Sequence, residues 1–184
     1  MARRVFFSFH FDDSFRANQV RMANVVLGPD IAGFFDHSEY EEAKKTSDAG
    51  VRRMILRHLE RTTVTVVLIS QYTWIRPWIR YEIEESIKRD NGLLGIYVHH
   101  LQDPRERRPR SILAGLVTPP APPVPVKPLV PAHVEFPAYM WDAQNVAFFA
   151  RQIEEAGQRS DRMRRSRSLP PFLPIPKPRP SWIP

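Results

Sequence analysis

Residues 63–69 read TVTVVLI, a run that is β-branched or aliphatic at every position. A strand with one wet face alternates apolar and polar side chains. This one is apolar on both faces, as expected at the centre of a parallel sheet covered on each side by helices. Its neighbours then take their roles around it. Upstream, Val51, Met54, Ile55 and Leu59 recur at helical spacing. Downstream, RPWIRYEIEES (76–86) offers Pro77 for a first helical turn, and Ile79, Ile83 and Ile87 repeat every four residues. GLLGIYV (92–98) is a further strand. Towards the amino terminus, RRVFFSF (3–9) is a short aromatic-rich strand running into HFDDS, where Asp13 or Ser14 can cap a helix through FRANQVRMANVV. GFFDHS (33–38) reads as a short strand with Asp36 and Ser38 at its end, followed by the acidic loop EYEEAKKTSDAG. Strands alternating with helices over short connections predict an α/β, flavodoxin-like doubly wound parallel sheet with right-handed crossovers.

Composition narrows the function. The 184 residues contain no cysteine, which excludes disulfides and thiolate metal sites. No apolar run reaches the roughly 18 residues of a membrane span, and the start MARRVFFSFHFDD lacks a signal-peptide core, so the expected location is the cytoplasm, with no membrane partner. Of the net charge of +7, +6 resides in residues 158–184, which hold seven Lys/Arg against Asp161. The folded core is thus near neutral and is not a nucleic-acid surface. Prolines punctuate 102–137, read as a surface excursion, and MWDAQNVAFFARQIEEAG restores helical spacing for a last helix over 141–157. The domain is expected over 1–157, with its core at 3–100 and a disordered basic, proline-rich tail over 158–184.

Three glutamates crowd the helix at 77–88. Stepping about 100° per residue turns Glu84 and Glu85 away from the isoleucine stripe, whereas Glu82 borders it, one turn after Trp78. Spacing leaves two readings of Glu82: a half-exposed carboxylate paired with Arg76, Arg80 or Arg89, or a carboxylate kept for chemistry near the carboxyl ends of the strands, where open α/β sheets bind ligands. Phe9 fits the core as well as a pocket, and Asp12 and Asp13 fit helix caps. His99 and His100 point to opposite faces of a strand end, which does not make a shared metal site.

VFFSFHFDDS resembles the first strand and following loop of a TIR domain. SQYTWIRPWIRYEIEES resembles the TIR segment in which a serine ends a strand and a tryptophan precedes a glutamate by four positions, here Trp78 and Glu82. More specifically, residues 3–100 resemble the TIR-like, nucleotide-signalling subunit of bacterial Thoeris antiphage systems. That resemblance implies an NAD⁺-cleaving hydrolase or ADP-ribosyl cyclase, with Glu82 catalytic and Phe9, His10, Asp12, Ser38 and Trp78 lining the substrate pocket. NAD⁺ would be the substrate, with no cofactor and no metal. The resemblance also implies self-association through TIR–TIR contacts, with the acidic loop at 39–48 as the contact proposed here. The product would be an ADP-ribose-derived messenger for a separate effector protein. The chain departs from the family where HF replaces the usual basic residue after the first strand, and past residue 100 no TIR segment aligns.

Two other classes compete. A response-regulator receiver would use Asp12 and Asp13 to hold Mg²⁺, but it needs an aspartate at the end of the central strand, where this chain has Ser70 and Gln71. A non-catalytic TIR scaffold would act through protein contacts, with its proline-rich tail docking in aromatic grooves. Glu82 placed beside Trp78 favours the enzyme.

Overall fold

The computed structural model describes residues 3–23, 47–71, 73–105 and 128–168. The expected strand at 33–38 with Asp36 and Ser38, the acidic loop up to residue 46, and most of the proline-rich excursion lie outside them, as do residues 169–184. The described sheet has four strands: β1 (Val5–Ser8), β2 (Val64–Ile69), β3 (Gly92–Tyr97) and β4 (Ala138–Met140). They lie side by side in chain order and every pairing is parallel. All six residues of β2 are buried, as its two apolar faces require.

Helices cover both faces. α1 (Ser14–Ala23) and α4 (Val146–Ser168) pack on the side of Val5, Phe7, Val66, Leu68 and Ile96. α2 (Asp48–Leu59) and α3 (Pro77–Lys88) cover the other side. There Phe6 meets Met54 and Ile55, while Val67, Ile69 and Leu93 meet Ile79 and Ile83. Each such side chain, fully buried, contributes roughly 1.5–3 kcal/mol by the hydrophobic effect. Pro77 opens α3 at its first turn, and Ser47 caps α2 by accepting the Gly50 amide at 3.2 Å. Arg61 (φ 65°) and Asp90 (φ 56°), the two non-glycine residues with positive φ among the described ones, turn the chain from α2 into β2 and from α3 into β3. Among the described residues no helix is long and apolar enough to cross a membrane.

The last helix differs from its expected bounds of 141–157. It starts at Val146 and continues to Ser168, eleven residues into the stretch read as tail. The reason is visible in its arginines. Arg159 donates to the Leu93 carbonyl at 2.8 Å, and one Arg164 nitrogen donates to the carbonyls of Thr62 and Arg89 and to Asn91 Oδ1. Ser160 is fully buried. Long basic side chains here saturate carbonyls at helix and strand ends, a use that low hydropathy conceals. Trp141, expected to begin the helix, instead follows β4, where its amide donates to the Tyr97 carbonyl at 3.0 Å. β4 itself follows directly on Pro137, whose carbonyl accepts from Gly95, so the proline precedes the edge strand rather than interrupting it.

Candidate active site

β1 points Val5 and Phe7 to the α1 side, and Phe6 and Ser8 to the α3 side. Ser8 is therefore the polar end of an otherwise apolar strand, placed under α3. Its hydroxyl donates to Glu82 Oε2 at 2.5 Å, and Glu82 is only 5% exposed. The expectation of a carboxylate bordering the core understates its depth. The ion-pair reading is overturned as well. Arg76 binds Asp12, Arg80 donates twice to the Trp74 carbonyl, and Arg89 binds Glu85. Burial pushes the Glu82 carboxyl up to about 8, with the Ser8 hydrogen bond pulling the other way. At neutral pH Glu82 is thus mostly a neutral acid.

Its neighbours on the helix behave otherwise. Glu84 is exposed. Burial raises the Glu85 pKa, but hydrogen bonds from Lys88 and Arg89, each at 2.7 Å, outweigh it and hold this carboxyl below the usual range.

The loop after β1 forms the rim. His10 is half-buried, and its Nδ1 accepts the Asp12 amide at 3.2 Å. Burial lowers the His10 pKa, and the Arg76 charge adds to this. The ring is then neutral, and the 3.1 Å approach of Nδ1 to Asp12 Oδ2 is not an ion pair. Asp12 is exposed and bound by Arg76 at 2.9 Å. Arg105 donates to the Asp12 carbonyl at 2.7 Å while clamping Asp103, whose carboxyl is pulled down to about 2 by that guanidinium. Asp13 is buried, accepting from Arg16 at 3.0 Å and from Ser70 Oγ at 2.5 Å. Both aspartates of the pair are thus occupied by protein donors. No cluster of three or more His, Cys, Asp or Glu occurs among the described residues, so a receiver-type metal cage finds no support there.

The other expected site residues divide. Trp78 is half-buried one turn before Glu82, edge-on to Tyr81 at 5.9 Å and packed toward α2. Phe9 packs into the cluster on the opposite, α1–α4 face, away from Glu82. Ser38 lies outside the described residues. His99 and His100 meet edge to face at 5.7 Å, and His100 Nε2 lies 2.9 Å from the Trp141 carbonyl. A cavity of about 410 Å³ opens at the amino end of the sheet, against Gly92, Leu93, Arg159 and Met163, and contains none of these site residues. Sequence reasoning missed Ser8, Ser70 and Arg105. Ser8 had a signal: it is the lone polar residue between Val5 and Phe9, two positions from Phe6 and so on the same face.

A doubly wound parallel sheet, a polar loop after its first strand, and a lone buried carboxylate on the helix after its central strand together define a TIR-type domain. Residues 6–103, more than half of the chain, match the family described as Thoeris protein ThsB, TIR-like domain, and the chain belongs to that family. It is 48% identical over 106 residues to a Bacillus cereus (strain MSX-D12) protein named "Putative cyclic ADP-D-ribose synthase ThsB1". The aligned part covers 56% of this chain and 55% of the relative, so the chain spans about half of that protein's length.

Proposed function

We propose that this chain cleaves NAD⁺ at the nicotinamide–ribose bond and closes the ribosyl unit into a cyclic ADP-ribose-type messenger. The observation that carries this is the buried Glu82 carboxyl, held by Ser8 at the carboxyl end of β1 without a cationic partner among the described residues. Departure of nicotinamide takes the C–N bonding pair with it and leaves an oxocarbenium-like ribose. A fixed, desolvated carboxylate stabilises that charge far better than a solvated one. Nicotinamide leaves as a neutral molecule from a cationic ring, so no general acid is needed and one carboxylate suffices.

Glu82 must ionise to act. The positive pyridinium of bound NAD⁺ favours its anion, drawing the pKa down from about 8 as substrate binds. Arg76 and Arg105, which converge on Asp12, would meet the pyrophosphate in place of the basic residue missing after β1. His10, Asp12 and Trp78 would line the ribose side and Ser38 would close it, while Phe9, on the opposite face of the sheet, takes no part. A nitrogen of the adenine capturing the cation gives a cyclic product, and water gives ADP-ribose. The name of the Bacillus cereus relative supports the cyclic outcome. The product would then signal to a separate effector protein in antiphage defence.

The test is incubation of the purified chain with NAD⁺ across a range of protein concentrations, following nicotinamide and the mass of the second product. The expected result is equimolar nicotinamide and a species lighter than ADP-ribose by one water. Unchanged NAD⁺ at every concentration would overturn the proposal.

A further inference from the structure

Beneath α3 runs a second polar feature that NAD⁺ chemistry does not by itself require. Arg164 Nη2 donates to Asn91 Oδ1 at 2.9 Å, and Asn91 Nδ2 donates to Thr65 Oγ1 at 3.2 Å. Thr65 Oγ1 donates to Ser86 Oγ at 2.8 Å, and Ser86 Oγ donates to the backbone carbonyl of Glu82 at 2.7 Å. Every donor points the same way, from the last helix toward the candidate catalytic residue. Thr65 and Ser86 have no solvent exposure and Asn91 has 2%. The second proton of the Asn91 amide goes to Thr62 Oγ1 at 2.9 Å, and Thr62 in turn donates to the Leu59 carbonyl, so the middle of the chain has no spare donor.

An apolar contact would hold α3 on the sheet equally well, because hydrophobic burial is non-directional. What apolar packing does not fix is where the helix sits along its own axis. Hydrogen bonds between a strand hydroxyl and a helix hydroxyl do fix it, and in a buried setting breaking one strands a polar group at a cost. The position matters one turn away, where Glu82 has to keep its carboxyl against Ser8.

We propose that Thr65 and Ser86 are positioning residues for Glu82, anchored at the far end by Arg164. The anchor lies outside residues 6–103, which match the family, so a helix at the opposite end of the sheet sets the geometry of the site. This inference rests on the reading of Glu82 as the catalytic carboxylate.

The test compares Thr65→Val, which keeps the shape and loses the hydroxyl, with Thr65→Ser, which keeps the hydroxyl. NAD⁺ cleavage is measured as kcat and KM beside thermal unfolding. Misplacement of a catalytic group by a fraction of an ångström predicts a fall in kcat of roughly tenfold or more for Thr65→Val, with KM within about twofold, and recovery in Thr65→Ser. A merely structural role would lower the melting temperature and leave kcat per folded molecule intact, which would overturn the proposal. If Thr65→Val does not fold, Ser86→Ala, a favourable helix substitution, carries the same expectation. Glu82→Gln, run alongside, separates the two levels. Full turnover in Glu82→Gln would remove the reading beneath the inference. A dead Glu82→Gln beside a fully active, folded Thr65→Val would remove the inference alone.

Discussion

Glu82 combines two properties that oppose one another: it is almost fully buried, and it is ionisable with no cation beside it among the described residues. Its folded pKa of about 8 stands above the ordinary glutamate value of 4.5, so the native state holds its proton longer than the unfolded chain does. Below about pH 4.5 both states are protonated and no penalty arises. Between there and about 8 the unfolded chain ionises first, and stability falls as pH rises, by an amount on the order of a few kcal/mol. Glu82→Gln removes that loss. The variant is expected to match wild type in melting temperature near pH 4.5 and to exceed it increasingly up to pH 8, as calorimetry would show. The same titration predicts that kcat/KM for NAD⁺ rises with pH through about 8 to a plateau, because the free protein must lose this proton before it can act. A profile flat from pH 6 to 9 would contradict it. Spacing alone singled out Glu82 among the three glutamates, but an angle around a helix does not give depth. The depth depends on β1 passing beneath α3, and the hydrogen-bonding partner, Ser8, is 74 residues away in sequence.

At the level of elements, the strands and helices with strong periodicity were legible: β1, β2, β3 and α3 fall within a residue or two of where TVTVVLI and its neighbours place them. α4 was legible only in its first half, because its second half replaces an apolar stripe with arginines that saturate distant carbonyls. β4 was not legible, since three residues behind a proline-rich stretch carry no period. The expectation of a disordered tail over 158–184 therefore fails for 158–168, which are helical. Ending the chain after Gly157 deletes buried Ser160 and the Arg159 and Arg164 contacts, and is predicted to lower the melting temperature by several degrees, on the order of 1–3 kcal/mol. An unchanged melting curve would contradict this. α4 also presses on the start of β3. A Cβ at Gly92 would lie 1.8 Å from the Ala156 carbonyl oxygen, and backbone there has little room to yield. Gly92→Ala is predicted to cost at least about 2–3 kcal/mol, read as a lowered urea midpoint.

For the whole molecule, the site sits at the carboxyl edge of a sheet whose described part has four strands, with its rim built from ion pairs: Asp12 with Arg76, Asp103 with Arg105. We propose that the self-association expected of a TIR domain completes the pocket with a second copy. This predicts that activity per molecule rises with protein concentration in step with sedimentation, and a flat response across the association range would contradict it. The pocket's far wall was not legible in the sequence, because the shape that selects a capturing nucleophile is set by packing rather than by any motif. The catalytic assignment itself is most directly tested by nicotinamide release from NAD⁺ by wild type, Glu82→Gln, Glu84→Gln and Glu85→Gln at matched, assembled concentrations. Glu84 is exposed, and Glu85 is partly buried but held by Lys88 and Arg89 away from Glu82, so both variants are predicted to stay within about twofold of wild type. Glu82→Gln is predicted to fall by at least about a hundredfold while remaining folded. Equal loss in all three, or full release by Glu82→Gln, would contradict the account.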